Sequence, residues 1–360
     1  MDEGSDGGRI RVVTESPLNA ETPLAALIDP IQEAGTFYIR SNFPTPAPTP
    51  GTYRLEVSDL DGEVRRLTLP ILKGVMARTR TVTLECAGNG RTLLDPQPPG
   101  TAWTLGGTGT ANFTGVPLAS LLPDLGDAVE ILFTGADHGH AEGWGDIHFQ
   151  RSLPVEVLAQ EPAPMVVWGM NGQDLPIEHG GPVRLVVPGW YAVASVKWLT
   201  RIELRSTPFE GCFQTDRYRY LVPGQDPSPV RRMRPRALAL EIGGVALESD
   251  GPGLPRAARP LRVAAGVLRV EGIAWTGRGA VDLVELSRDG GASWTSAEVD
   301  RQPSPWVRTR WRADLEVSPG SSELIVRARD TAGRAQPLDS FWNELGYGNN
   351  EVQRIPLFAG

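Results

Sequence analysis

The sequence predicts a mostly β protein of the α+β class, with a β-rich domain over residues 1–235 followed by an immunoglobulin-like β-sandwich over residues 236–360. Three observations predict it. First, 32 prolines and 41 glycines punctuate the 360 residues every few positions, which leaves little room for long helices. Second, short runs rich in β-branched and aromatic residues stand between those turn formers. Third, beyond residue 235 the runs alternate apolar and polar side chains, the period of a strand with one buried face. The length also exceeds the usual size of one hydrophobic core, so two domains are expected.

In the first domain the expected strands are 54–57, 80–85, 130–133, 165–168, 183–187 and 196–204. Short helices are expected at 117–122 and 153–159, where a proline near the start presets φ for a first helical turn. Segment 221–235, LVPGQDPSPVRRMRP, is dense in proline and charge without periodicity and reads as a linker, which puts the boundary near residue 235. The second domain has expected strands at 268–275, 281–287, 294–299, 306–315 and 323–328, with a turn at Arg288-Asp289-Gly290-Gly291. Roughly 100 residues in this spacing suit a sandwich of the immunoglobulin type.

Composition excludes several classes. With 43 acidic against 35 basic side chains, the formal charge of −8 repels nucleic acid and anionic lipid, so an anion site has to be built locally from converging cations. No stretch approaches the roughly 18 apolar residues of a membrane span. The acidic, glycine-rich start, MDEGSDGGRIRVV, lacks the basic-then-apolar order of a secretory signal, so a cytoplasmic protein is expected, or a periplasmic one if a leader was removed. Cys86 and Cys212 are too few for a disulfide framework or a cysteine-rich zinc module.

Cys86 stands in TVTLECAGNGR, where a strand pattern runs into Ala-Gly-Asn-Gly. That places a thiol at a turn on a rigid strand end, with the cation of Arg91 five residues on to favour thiolate; the plainer reading is a small buried apolar side chain. Cys212, in FEGCFQTD, fits no ligand pattern and is read as structural. His138, His140 and His148 lie close together, but a histidine loop beside acidic residues with no further ligands reads as solvated. The stretch 178–197, EHGGPVRLVVPGWYAVASVK, sets His179, Arg184 and Lys197 at loop ends, an arrangement an anionic group would require.

Four segments, FYIRSNFPTP (37–46), TLECAGNGR (83–91), MNGQDLPIEHGGPVRLVVPGWYAVASVKWL (170–199) and AWTGRGAVDLVELSRDGGASW (274–294), stand in family order, and on them the chain resembles the sulfite oxidase family. The resemblance implies a sulfite oxidase-type molybdopterin-binding domain, with the C-terminal sandwich forming a homodimer. It implies that the Cys86 thiolate ligates molybdenum in the molybdenum cofactor, and that Arg40, Asn42, Asp137, His179, Arg184, Ser195 and Lys197 contact that cofactor. Sulfite would be held by Arg40, Arg91 and Arg278, with Arg201 a further candidate and Trp103 lining the pocket. Phe149 stands where the family carries a tyrosine hydroxyl near the metal; losing one such donor costs roughly 1 to 3 kcal/mol of transition-state stabilisation. Asn42 departs from the family's histidine.

The implied reaction is oxidation of sulfite to sulfate by oxygen-atom transfer. No haem motif is evident, so electrons would pass to an external cytochrome, another carrier or dioxygen. Two competing readings are a related molybdoenzyme acting on another small oxyanion or an S- or N-oxide, and a non-catalytic β-rich binding protein.

Overall fold

The computed structural model describes residues 9–47, 51–248, 259–302 and 304–360. Residues 1–8, part of the start read above as lacking a secretory signal, lie outside the described residues.

Two five-stranded sheets build the first domain. In one, Gln173–Asp174, Met165–Met170, Thr108–Pro117 and Arg78–Glu85 lie in that order, and Arg184–Val186 also pairs with Met165–Met170. Arg78–Glu85 runs antiparallel to Thr108–Pro117 with Thr83 opposite Thr110 and Glu85 opposite Thr108. Strand alternation sends Val82, Leu84 and then Cys86 into an apolar cluster with Phe37, Tyr38, Trp103 and Phe113. Thr83 and Glu85 point the other way and are equally buried. Thr83 Oγ1 accepts from the Arg308 N–H at 2.9 Å, so that face is covered by the C-terminal domain.

The other sheet has the order Val64–Thr68, Arg54–Ser58, Leu199–Arg205, Glu130–Ala141, Gly145–Pro154. Leu199–Arg205 lies parallel to Arg54–Ser58, and the remaining pairs are antiparallel. Leu55, Ile131, Phe133, Leu199 and Ile202 from this sheet share one core with Val166 and Leu185 of the first. That core continues into Leu238, Leu240, Ile273 and Trp275 of the C-terminal domain, so the two parts are joined by a continuous apolar contact.

The C-terminal domain is a sandwich of two five-stranded sheets. One is Val245–Ala246, Arg236–Ile242, Gly266–Trp275, Thr309–Val317, Glu298–Val299, and the other Leu261–Val263, Gln353–Ala359, Gly320–Asp330, Val281–Ser287, Thr295–Ser296. Val270, Val284, Leu286, Trp311 and Val326 fill the space between them. The buried Trp311 indole N–H is satisfied by the Ile273 carbonyl at 3.0 Å.

Several expectations need correction. The strand expected at 294–299 divides between the two sheets, Thr295–Ser296 pairing with Val281–Ser287 and Glu298–Val299 with Thr309–Val317. The helices expected at 117–122 and 153–159 are short 3₁₀ segments, Leu118–Leu121 and Val155–Ala159. The α-helix Leu69–Gly74 was not anticipated; Thr68 caps it by accepting from Ile71 N, and Pro70 occupies its first turn. The segment read as a linker is a packed strap. Val230 and Met233 are fully buried, Arg232 stacks on Trp190 and Trp306, and Arg234 stacks on Tyr220 and Phe341. Guanidinium planes cover aromatic faces there, so a charged, periodicity-free segment is held against the core. No helix among the described residues is long and apolar enough to cross a membrane.

Candidate active site

Cys86 terminates its strand with its N–H bonded to the Gly107 carbonyl at 2.8 Å, and its sulfur accepts from Gly88 N–H at 3.4 Å. Gly88 leaves room for the Arg91 guanidinium, which a Cβ would approach to 2.8 Å. The thiol is 4% exposed and opens onto a cavity of about 620 Å³, part of it continuous with solvent. Burial pushes its pKa up, and Arg40, more than Arg91, pulls it back in part. The free thiol is therefore neutral, and only a metal or a strong cation would hold it as thiolate.

Four other regions complete the cavity. Arg40 and Asn42 follow the bridge between Ala20 and Ile39. The Arg40 guanidinium donates to Asn42 Oδ1 at 2.6 Å, Asn19 Oδ1 at 3.1 Å and the Tyr218 hydroxyl at 3.2 Å. Asp137 sits in a bulge of Glu130–Ala141, where the register shifts between Thr134 and His138, and Phe149 lies on the partner strand. His179 ends a 3₁₀ turn at Ile177–His179, and Arg184 begins the strand that follows. Ser195 and Lys197 lie on the approach to Leu199–Arg205. Gly180, at φ +102°, would place a Cβ 2.9 Å from that of Lys197, so glycine is what lets these two walls meet.

The electrostatics favour an anionic ligand. Lys197 Nζ donates to Ser41 Oγ at 3.0 Å and to the Glu178 carbonyl at 2.8 Å, and burial lowers its pKa. Arg184 donates to the carbonyls of His179 and Ser195 at 2.8 and 2.9 Å. His179 is held neutral, its pKa lowered to about 4 by burial, and its Nε2 meets the Ala34 carbonyl at 2.8 Å. Asp137 is the exception: burial raises its pKa, and Oδ1 is sealed from water without a hydrogen-bond partner. A buried oxygen so placed is one that a polar group of a bound ligand can satisfy.

Arg40, Asn42, Cys86, Asp137, Phe149, His179, Arg184, Ser195 and Lys197 thus share one cavity. Four sequence candidates do not line it. Arg91 is turned away, donating to the Leu345 and Thr101 carbonyls and lying over Tyr347. Trp103 is fully buried behind Tyr38, edge-to-face at 6.3 Å. Arg201 lies on a strand with its neighbours Arg54, Glu56 and His148 around a separate surface depression, facing Glu203 at 3.4 Å. Arg278 is exposed on the Gly277–Gly279 turn. Cys212 packs with Phe213 in the main core. Conversely, Tyr38, Ser41, Glu178 and Tyr218 line the cavity without having been singled out. Tyr218 follows the irregular turn Cys212–Asp216 at φ 58°, which no sequence periodicity reveals.

The donor set fits a soft, thiolate-ligated metal carried by an anionic organic cofactor: one thiol, three cations, a neutral histidine and an orphaned carboxyl oxygen. The oxidoreductase molybdopterin binding domain matches residues 42–213, and the Mo-co oxidoreductase dimerisation domain matches residues 254–359. Sulfite oxidase of Gallus gallus is 31% identical over 355 residues, covering 94% of this chain and 75% of that one. Mitochondrial sulfite oxidase of Macaca fascicularis is 30% identical over 374 residues, covering 97% of this chain and 66% of that one, so the chain spans about two thirds of that relative's length. The crystal structure of sulfane dehydrogenase SoxCD from Paracoccus pantotrophus superposes with a TM-score of 0.81 at 26% identity, over 98% of this chain and 92% of that one. A thiol-floored, cation-walled cavity in the first domain and a matched dimerisation domain in the second place this chain in the sulfite oxidase family of molybdenum-cofactor oxidoreductases.

Proposed function

We propose that this enzyme oxidises sulfite to sulfate and passes the electrons to an external acceptor, as a homodimer paired through its C-terminal domain. The observation that carries the reading is the sharing of one cavity by Cys86 and Arg40. When bound, the molybdenum cofactor supplies the two-electron oxygen-atom chemistry. Cys86 is the residue that would ligate the metal, giving up its proton to do so. Asp137, His179, Arg184, Ser195 and Lys197 would hold the pterin and its phosphate. Arg40 would neutralise and orient the small dianion by its forked donors, and Asn42 fixes that fork at 2.6 Å. Arg91 acts from behind the cavity through Tyr347 and the Gly88 turn.

The test is elemental and pterin analysis of the purified protein, paired with sulfite-dependent dye reduction, for the parent and Cys86→Ser. Near-stoichiometric molybdenum with turnover that Cys86→Ser abolishes while the fold persists is the expected result. A molybdenum-loaded protein inert to sulfite would refute the substrate.

One observation favours a second substrate. Phe149 brings a ring and no hydroxyl to the cavity, so the position where the family carries a phenol has none. A related molybdoenzyme acting on another small oxyanion or an S- or N-oxide fits that change. Steady-state assays with nitrate and sulfoxides beside sulfite separate the two.

A further inference from the structure

We propose that Tyr218 supplies the anion-binding hydroxyl that Phe149 lacks, delivering it beside Arg40. The inference rests on the anion site assigned above and adds a recognition residue to it. Tyr218 lines the same cavity as Cys86, Arg40 and Phe149. Phe149 and Tyr218 flank one side chain, Phe213, with ring centroids 4.7 Å and 6.4 Å from it. Both rings therefore pack on the same neighbour and line the same cavity.

The hydrogen-bond pattern leaves that hydroxyl available. Its oxygen accepts from Arg40 Nη2 at 3.2 Å, and its proton goes to Asn42 Oδ1, also at 3.2 Å. Asn42 Oδ1 already takes the Arg40 N–H at 2.6 Å. The phenol's own donation is thus a long bond to an acceptor that is already satisfied, and an arriving anion can take it over at small cost. The arginine that would grip the anion holds the phenol beside it.

The residue is also held in place with some effort. Its backbone sits at φ 58°, a region tyrosine rarely adopts. The Val230 N–H clamps its carbonyl at 2.9 Å, and the Tyr347 ring stacks on it at 4.9 Å and 19°. Tyr347 is in turn capped by Arg91, which explains how a cation outside the cavity bears on it. Tyr38 brings the other phenol to the cavity, but among the described residues its hydroxyl makes no hydrogen bond to Arg40.

The test uses the cofactor-loaded protein and sulfate as probe, so that binding is read without turnover. Sulfate titrations by calorimetry compare the parent with Tyr218→Phe, Tyr38→Phe, Phe149→Tyr and the Tyr218→Phe/Phe149→Tyr double variant. Tyr218→Phe should weaken sulfate about tenfold at unchanged molybdenum content, and the double variant should recover to within about twofold of the parent. Phe149→Tyr alone should change affinity by less than about twofold, because the site then holds a second, redundant donor. Where sulfite is turned over, the loss should appear in KM with kcat nearly unchanged. Parent-like sulfate binding by Tyr218→Phe overturns the inference. So does a tenfold loss in Tyr38→Phe instead, an equal gain from Phe149→Tyr in both backgrounds, or a parent that binds no sulfate. Should Tyr218→Phe fail to fold, the Phe149→Tyr result still decides, since a tenfold gain in the parent refutes a hydroxyl already present. Sulfate held through Tyr218 in a protein inert to sulfite would keep this inference and remove the proposed substrate.

Discussion

The Trp275 indole N–H donates to Glu85 Oε2 at 3.0 Å, joining the C-terminal domain to the residue immediately before Cys86. Glu85 is completely buried; Asn89 Nδ2 donates to its other oxygen at 3.0 Å, and Arg236 lies 3.6 Å away. Burial raises the Glu85 pKa, and Arg236 with the Trp275 and Asn89 bonds offsets this only in part. The cysteine strand therefore ends on a carboxyl whose solvation is supplied largely by the C-terminal domain.

Trp275→Phe should then do more than weaken a remote sandwich. Removing a hydrogen bond to a buried carboxyl costs about 1 to 3 kcal/mol, and the phenyl ring retains most of the packing. Urea unfolding should show that loss, and the variant should carry less molybdenum than the parent after the same purification. Parent-like stability and metal content would separate the domains functionally.

Lys197 is the cation whose environment most suits a phosphate or pterin oxygen, because its ammonium is buried and already wired to Ser41 and Glu178. Lys197→Met keeps the stem volume and removes the charge. Pterin content, read by fluorescence after oxidation, should fall about tenfold or more, equivalent to roughly 1.4 kcal/mol of binding. Circular dichroism should be unchanged.

Much of this was legible in the sequence, and the remainder was hidden for physical reasons. Arg78–Glu85, Met165–Met170 and Val281–Ser287 carry dense β-branched and apolar residues, so their period shows. Thr108–Pro117 and Gly145–Pro154 were missed because threonine, glycine, asparagine and histidine dilute the pattern, although both are central to placing the site. Residue type and motif position point to Arg201 and Arg278. Strand direction then turned the first toward a different face, and a tight turn left the second in solvent. Tyr218 was invisible because a left-handed backbone and a stacking partner 129 positions away put it in the cavity.

His179 should make the cofactor-free protein sensitive to acid. Its pKa is lowered to about 4 by burial, then by Lys197 and Arg184, against the Ala34 carbonyl, which raises it. The unfolded chain thus binds the proton first, near pH 6.5, and stability is lost as pH falls from there through 4. The contribution is at most roughly 3 kcal/mol. Asp137, its pKa raised by burial, acts in the opposite direction, so the quantity to measure is a difference. His179→Gln retains a donor for Ala34 and should flatten the fall in denaturant stability between pH 6.5 and 4 relative to the parent; an identical slope would refute the assignment.

Arg40 and Arg201 make a sharper comparison, since both were candidates for the anion and only Arg40 faces the cavity. The Arg201 side chain is 44% exposed and pairs with Glu203 at 3.4 Å, a surface contact of small energetic weight. Arg201→Ala should leave KM and kcat for the substrate within about twofold and stability within about 0.5 kcal/mol. Arg40 is enclosed and braced by Asn19, Asn42 and Tyr218, so its fork is fixed before any anion arrives. Arg40→Lys keeps the charge and loses the planar fork, which should cost on the order of 1.5 to 3 kcal/mol in kcat/KM, about tenfold to a hundredfold. Steady-state kinetics on both variants at matched molybdenum content decide the matter. Equal losses would mean that the anion is held by long-range charge rather than by contact, and an unaffected Arg40→Lys would move the substrate site elsewhere in the cavity.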